Sequence, residues 1–70
     1  MRGAWHGVPE WLLLLIGHRD SWTCHVCKQG YDPTQTWEID HDIPRAKGGT
    51  NHVRNLRLSH GGCNRDKAAA

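Results

Sequence analysis

Apolar residues are bunched early in the chain and thinly spaced after it. The run "WLLLLI", Trp11 to Ile16, follows Pro9, a residue suited to the first helical turn because its missing N–H would have no intrahelical partner there. A short helix from Pro9 to about Gly17 is therefore expected, behind a glycine-containing lead-in, "MRGAWHGV". Six apolar residues in a row do not all fit against one core. Part of that helix then either meets a partner or another copy of the chain, or caps a small core and leaves apolar surface in water, the plainer outcome.

Further on the pattern changes to alternation. "TWEID" puts Trp37 and Ile39 on one face and Glu38 and Asp40 on the other, the period-two signature of a half-buried strand. "NLRL" alternates again, with Leu56 and Leu58 inward and Arg57 outward. Between them "RAKGGTNH" reads as a basic loop whose Gly48 and Gly49 permit backbone angles that other residues resist. Two antiparallel strands joined by a long loop are the simplest reading. Before them "CHVCKQGYDP" reads as a knuckle and turn, and after them "CNRDKAAA" as two helical turns behind an Asn64 cap.

Length makes this pattern precarious. A chain of 70 residues, 37% hydrophobic, without Phe and with a mean hydropathy of −0.71, buries too little apolar surface to offset the entropy of ordering it. Three Cys leave one over if they pair as disulfides, and six His are many for the length, so a bound metal is the more economical staple. The net charge of +2 is mild, and it fits a nucleic-acid partner only if the basic residues cluster. The apolar run is too short to span a bilayer and no small-residue cleavage site follows it, so a soluble, intracellular, cytoplasmic protein with reduced thiols is expected.

Cys24 and Cys27 stand two residues apart, and His60 and Cys63 repeat that interval. Two such pairs fit the closed tetrahedral site of structural zinc, with the strand pair inserted between the halves of the site. A redox pair of thioredoxin type lacks its βαβ scaffold here, and haem attachment wants His where Lys28 stands. His25, between the first two ligands, is expected to point away from the metal and lie at the surface.

"WEIDHDIP" crowds Glu38, Asp40 and Asp42 around His41. Ionised carboxylates this close repel one another, and the crowding makes sense once a hard divalent cation is present. Zinc ties the start of the last helix to this strand, which brings Asn64 near Asp40. Asp40 and the Asn64 amide oxygen are then two ligands for Mg²⁺ or Mn²⁺, and a neutral His41 is placed to take a proton from water.

Taken in order, "RDSWTCHVC", "EIDHDIP", "KGGTNHVRNLRL" and "HGGCNRDK" resemble the zinc-stapled branch of the HNH endonucleases over residues 19–67. The combination is highly specific, although each piece alone is weak. The resemblance implies a small α+β domain of ββα-metal, treble-clef-like type spanning 19–70, with residues 1–18 as lead-in and N-terminal helix. It implies Asp40 and Asn64 as ligands of the catalytic cation, His41 as general base, and Asn55 as the residue that fixes the interstrand loop so that His41 faces the water. Phosphodiester hydrolysis would leave a 5′ phosphate and a 3′ hydroxyl, with one cation sufficing.

Three positions depart from the commonest family pattern. His60 stands where a cysteine is frequent and, four residues before Asn64, competes for a place on the catalytic cation; the zinc assignment is preferred because the three cysteines otherwise lack a fourth ligand. Lys28 stands where glycine often follows the second cysteine. Asp42 occupies a commonly apolar slot, either as an acid acting through water or as a solvated loop residue, and Glu38, facing the same side as Asp40, is a candidate to support the cation ligands from behind or to face the DNA.

Arg45 and Lys47 on the loop, with Arg65 and Lys67 on the last helix, are placed to meet DNA phosphates, contacts that position a duplex without reading bases. Weakly specific nicking or double-strand cutting of DNA is expected. Core or knuckle packing is expected of Trp11 and Trp22, against base stacking, which is the alternative for Trp5 as well; His6, His18 and His52 are read as surface residues. The alternative function is a non-catalytic zinc-stapled module that binds nucleic acid or protein within a larger DNA-processing complex. Short members of this family often act beside a larger DNA-packaging or DNA-processing protein; were the chain phage-encoded, the compartment would be the host cytoplasm.

Overall fold

The computed structural model describes residues 8–69, so the lead-in, Trp5 and His6 lie outside the described residues. Four main elements follow in order: helix α1 (Glu10–Arg19), strand β1 (Trp37–His41), strand β2 (Leu56–His60) and helix α2 (Gly61–Ala69). The expected class, a small α+β fold with one antiparallel strand pair, is the class observed. Among the described residues no helix is long and apolar enough to cross a membrane.

Helix α1 begins behind Pro9, whose carbonyl accepts from the backbone N–H of Leu12 and Leu13. Leu12 and Ile16, four residues apart, form the inward stripe and meet Ile39, Leu56 and Leu58 in the core. Trp11 falls off that stripe and is 65% exposed, against the expectation that it packs; Leu14 and Leu15 are exposed beside it. Trp22 does pack, onto the core and against Trp37.

The helix also runs past Gly17, which serves as a packing residue. A Cβ there would lie 2.4 Å from the Trp22 ring. The turn comes later, where Ser21 and Trp22 adopt φ of 55° and 50° and send the chain back toward the sheet.

Strands β1 and β2 pair from Trp37 opposite His60 to His41 opposite Leu56. Register puts Ile39 and Leu58 on the face covered by α1, and Glu38, Asp40 and Ser59 on the opposite face, beneath α2. The outer edge of β2 is closed by the segment after α1: Leu58 N–H donates to Asp20 Oδ2 at 3.0 Å, Leu58 C=O accepts from His25 N–H at 3.0 Å, and the Arg19 guanidinium donates to the Leu56 carbonyl. An open strand edge is thereby capped without a third strand.

Helix α2 starts at Gly61, two residues before the expected start at Cys63, and Asn64 is not its cap. The Asn64 side chain turns inward, while the first N–H groups are taken by the Thr36 carbonyl (from Gly61, 2.9 Å) and by Gln35 Oε1 (from Gly62, 2.7 Å). Gly61 also leaves room for Glu38, whose Oε2 would stand 2.7 Å from an added Cβ.

The loop between the strands is laced by Asn55. Its Oδ1 accepts from Ile43 N–H at 2.7 Å, and its Nδ2 donates to the carbonyls of Ile43 and Thr50 at 3.0 and 2.8 Å. Gly48 takes φ of 90°, and Gly49 passes so near the Ile43 carbonyl that a Cβ would sit 1.7 Å from its oxygen. Gly49→Ala is therefore expected to destabilise the fold by about 2–3 kcal/mol through forced displacement of the loop. Urea unfolding of the zinc-loaded protein checks this, and an unchanged midpoint would show that the loop does not need the close approach.

Candidate metal centres and active site

Two sites lie on either side of the α2 N-terminus. In the first, Sγ of Cys24, Cys27 and Cys63 and a ring nitrogen of His60 all lie within 4.8 Å of one another. His60 Nδ1 is 3.4 Å from Cys27 Sγ and 3.8 Å from Cys63 Sγ. Zinc bond lengths of about 2.3 Å to sulfur and about 2.0 Å to nitrogen give tetrahedral S···N edges of roughly 3.5 Å, so the cluster fits a structural zinc site.

The surroundings fix the ligands. Gly30 C=O, which only accepts, receives a hydrogen bond from His60 Nε2–H at 2.7 Å, leaving the Nδ1 lone pair toward the sulfurs. Trp37 stacks on the same imidazole with ring centroids 4.7 Å apart. Burial opposes ionisation of Cys24, but backbone N–H groups of Cys27, His60 and Val26 directed at its sulfur outweigh this and lower the thiol to about 7. Cys63 is pushed up to about 12, by burial first and then by the neighbouring Cys27 and Cys24 sulfurs. One thiolate forms readily and a second is resisted by like charge, a conflict that a divalent cation removes.

The second site lies on the polar face of β1. Asp40 is buried, its Oδ2 accepting from His25 Nε2 at 2.8 Å and from Lys67 Nζ at 2.6 Å. Burial acts to raise its carboxyl, yet the hydrogen bonds from His25 and Lys67 and their charges prevail and hold it below the usual value, so Asp40 is ionised at neutral pH. Asn64, also buried, donates from Nδ2 to Glu38 Oε1 at 3.2 Å, which directs its amide oxygen the other way. Asp40 Oδ1 and Asn64 Oδ1 are both buried and have no hydrogen-bond partner among the described residues. Two such oxygens, one anionic and one amide, suit a hard cation.

His41 follows Asp40 at the strand end and is itself buried. Its Nε2 lies 2.7 Å from Asn51 Oδ1, an atom that also accepts from Arg45 at 3.2 Å. Since that oxygen only accepts, Nε2 carries the proton.

Of the expected DNA-facing cations, Arg45, Lys47 and Arg65 are exposed. Lys67 is placed differently: its ammonium turns inward to Asp40 and to the His41 carbonyl at 3.2 Å, because a buried carboxylate needs the charge. Asp42 is exposed and 3.8 Å from Arg57. His25 is the largest difference from the sequence reading. Its side chain is only 20% exposed and reaches Asp40 instead of solvent. Neither His25 nor Asn51 belongs to a spacing motif, although the need of a buried Asp40 for donors is a signal that singles out nearby histidines.

The family model described as HNH endonuclease matches residues 24–69, which holds both sites. Comparison with curated proteins and with solved structures finds no match.

Cys63→Ala is expected to lose zinc at neutral pH and to unfold, as read by metal content and circular dichroism; a variant with unchanged melting would show that the cluster is not the staple. Zinc affinity should also fall steeply as pH drops below about 7, where Cys24 takes up its proton, and competition with a chromophoric chelator at pH 6 and pH 8 checks the sign.

Proposed function

Because the chain belongs to the HNH endonuclease family, we propose that it is a divalent-metal-dependent DNA endonuclease that hydrolyses phosphodiester bonds with weak sequence specificity. The observation that carries this reading is the pair of partnerless buried oxygens, Asp40 Oδ1 and Asn64 Oδ1, the first of them on the residue that precedes His41.

Asp40 and Asn64 would hold Mg²⁺ or Mn²⁺, which when bound stabilises charge growing on the phosphate and on the departing oxygen. Glu38 orients the Asn64 amide toward that position, and His25 and Lys67 keep Asp40 ionised. His41, held in place by Asn51, accepts the proton of the attacking water through its ring. Asn55 acts at a distance, holding Ile43 and Thr50 so that the loop bearing Asn51 keeps its place. Arg45 and Lys47 on the interstrand loop and Arg65 on α2 offer exposed charge to phosphates, which orients a duplex without reading its sequence. A larger DNA-packaging or DNA-processing partner fits this reading, supported by the exposed apolar face of α1.

Supercoiled plasmid incubated with the zinc-loaded protein and Mg²⁺ or Mn²⁺ should be nicked, and chelation should stop it. His41→Ala, with zinc content matched, should lower the rate about 100-fold or more. Equal nicking by wild type and variant would remove His41 as the base, and no nicking by either under any divalent cation would favour a binding module.

A further inference from the structure

His25 sits between two zinc-cluster cysteines, yet its side chain is spent elsewhere. Its backbone is fixed at both polar groups: the N–H donates to the Leu58 carbonyl on the β2 edge at 3.0 Å, and the carbonyl accepts from Lys28 Nζ at 2.7 Å. From that mount Nε2 reaches Asp40 Oδ2 at 2.8 Å. Lys67 approaches the same oxygen from α2, at 2.6 Å. Two donors from different elements thus converge on Oδ2, and none among the described residues is on Oδ1.

The division of the carboxylate has a consequence. A single donor on a flexible four-carbon stem lets a carboxylate rotate about its terminal bond and share either oxygen with the ammonium. A rigidly mounted imidazole on Oδ2 fixes the plane and reserves Oδ1. We propose that His25 is a positioning residue for the catalytic cation, holding Asp40 with Oδ1 presented, and that through it the zinc knuckle sets cation affinity at the neighbouring site. This rests on the reading of Asp40 as a cation ligand. Partners of this kind behind a ligating group typically contribute a 10–100-fold factor in metal affinity.

The test is Mn²⁺ binding to the full, zinc-loaded chain without DNA, read from the electron paramagnetic resonance signal of free Mn²⁺ at one neutral pH. Two substitutions of similar length separate hydrogen bonding from space filling. His25→Gln keeps a donor at about the reach of Nε2, and His25→Met fills the space without one. With zinc content and melting temperature matched, His25→Gln should bind Mn²⁺ close to wild type and His25→Met about ten-fold more weakly. Equal affinities for the two variants would overturn the proposal, whether both resemble wild type or both are weakened. Asp40→Asn serves as the reference: if it binds Mn²⁺ as wild type does, the cation site itself is misplaced, whereas loss there with equal His25 variants rejects only the role of His25.

Discussion

The fold depends on closing one loop. Cys24 and Cys27 come from the knuckle, His60 from the last residue of β2 and Cys63 from the first turn of α2 directly after it, so a single ion on these four ligands joins two segments that are distant in sequence. The apolar core of Leu12, Ile16, Ile39, Leu56 and Leu58 is small for a chain of this length and covers only one face of a two-stranded sheet. Metal-binding free energy is folding free energy in such a chain, because the unfolded state holds no preformed site. The conflicting thiols, one lowered and one raised, express the same point electrostatically.

Closure of that loop assigns different work to the two faces of the sheet. The α1 side is apolar and supplies what hydrophobic stabilisation there is. The α2 side buries an aspartate, a serine and an asparagine, an arrangement that contributes nothing to a hydrophobic core and is tolerated only because most of its polar atoms have partners. His25 and Lys67 meet Asp40, and Glu38 meets Asn64. Asp40 Oδ1, Asn64 Oδ1 and the Ser59 hydroxyl are left without partners among the described residues, and the first two are the oxygens proposed for the cation. Asn55 and the close approach at Gly49 keep the intervening loop, with Asn51 on it, in register with His41.

Much of this was legible in the chain, and what was not shares a cause. The paired Cys24/Cys27 and His60/Cys63 intervals, the alternation around Ile39 and Leu58, and the acid crowding at Asp40 are local patterns with direct physical meaning. The inward turn of His25 and Lys67, the edge closure by Arg19 and Asp20, and the capping of α2 by Gln35 and Thr36 are contacts between segments far apart in sequence, which no window of neighbouring residues encodes. The helix read as starting near Cys63 begins instead at Gly61, where Glu38 and Gln35 occupy the space that side chains on Gly61 and Gly62 would need. Trp11 looked like core because it is large and apolar, but the helix presents only one stripe, and Leu12 and Ile16 fill it.

The most direct measurement of the dependence on one ion is a zinc titration of the metal-free chain followed by amide nuclear magnetic resonance. Signals of Ile39 and Leu58 at native, dispersed positions should grow in proportion to added zinc and stop growing at one equivalent. Native signals for both strands before any zinc is added would contradict it, and would mean that the apolar core orders the sheet unaided.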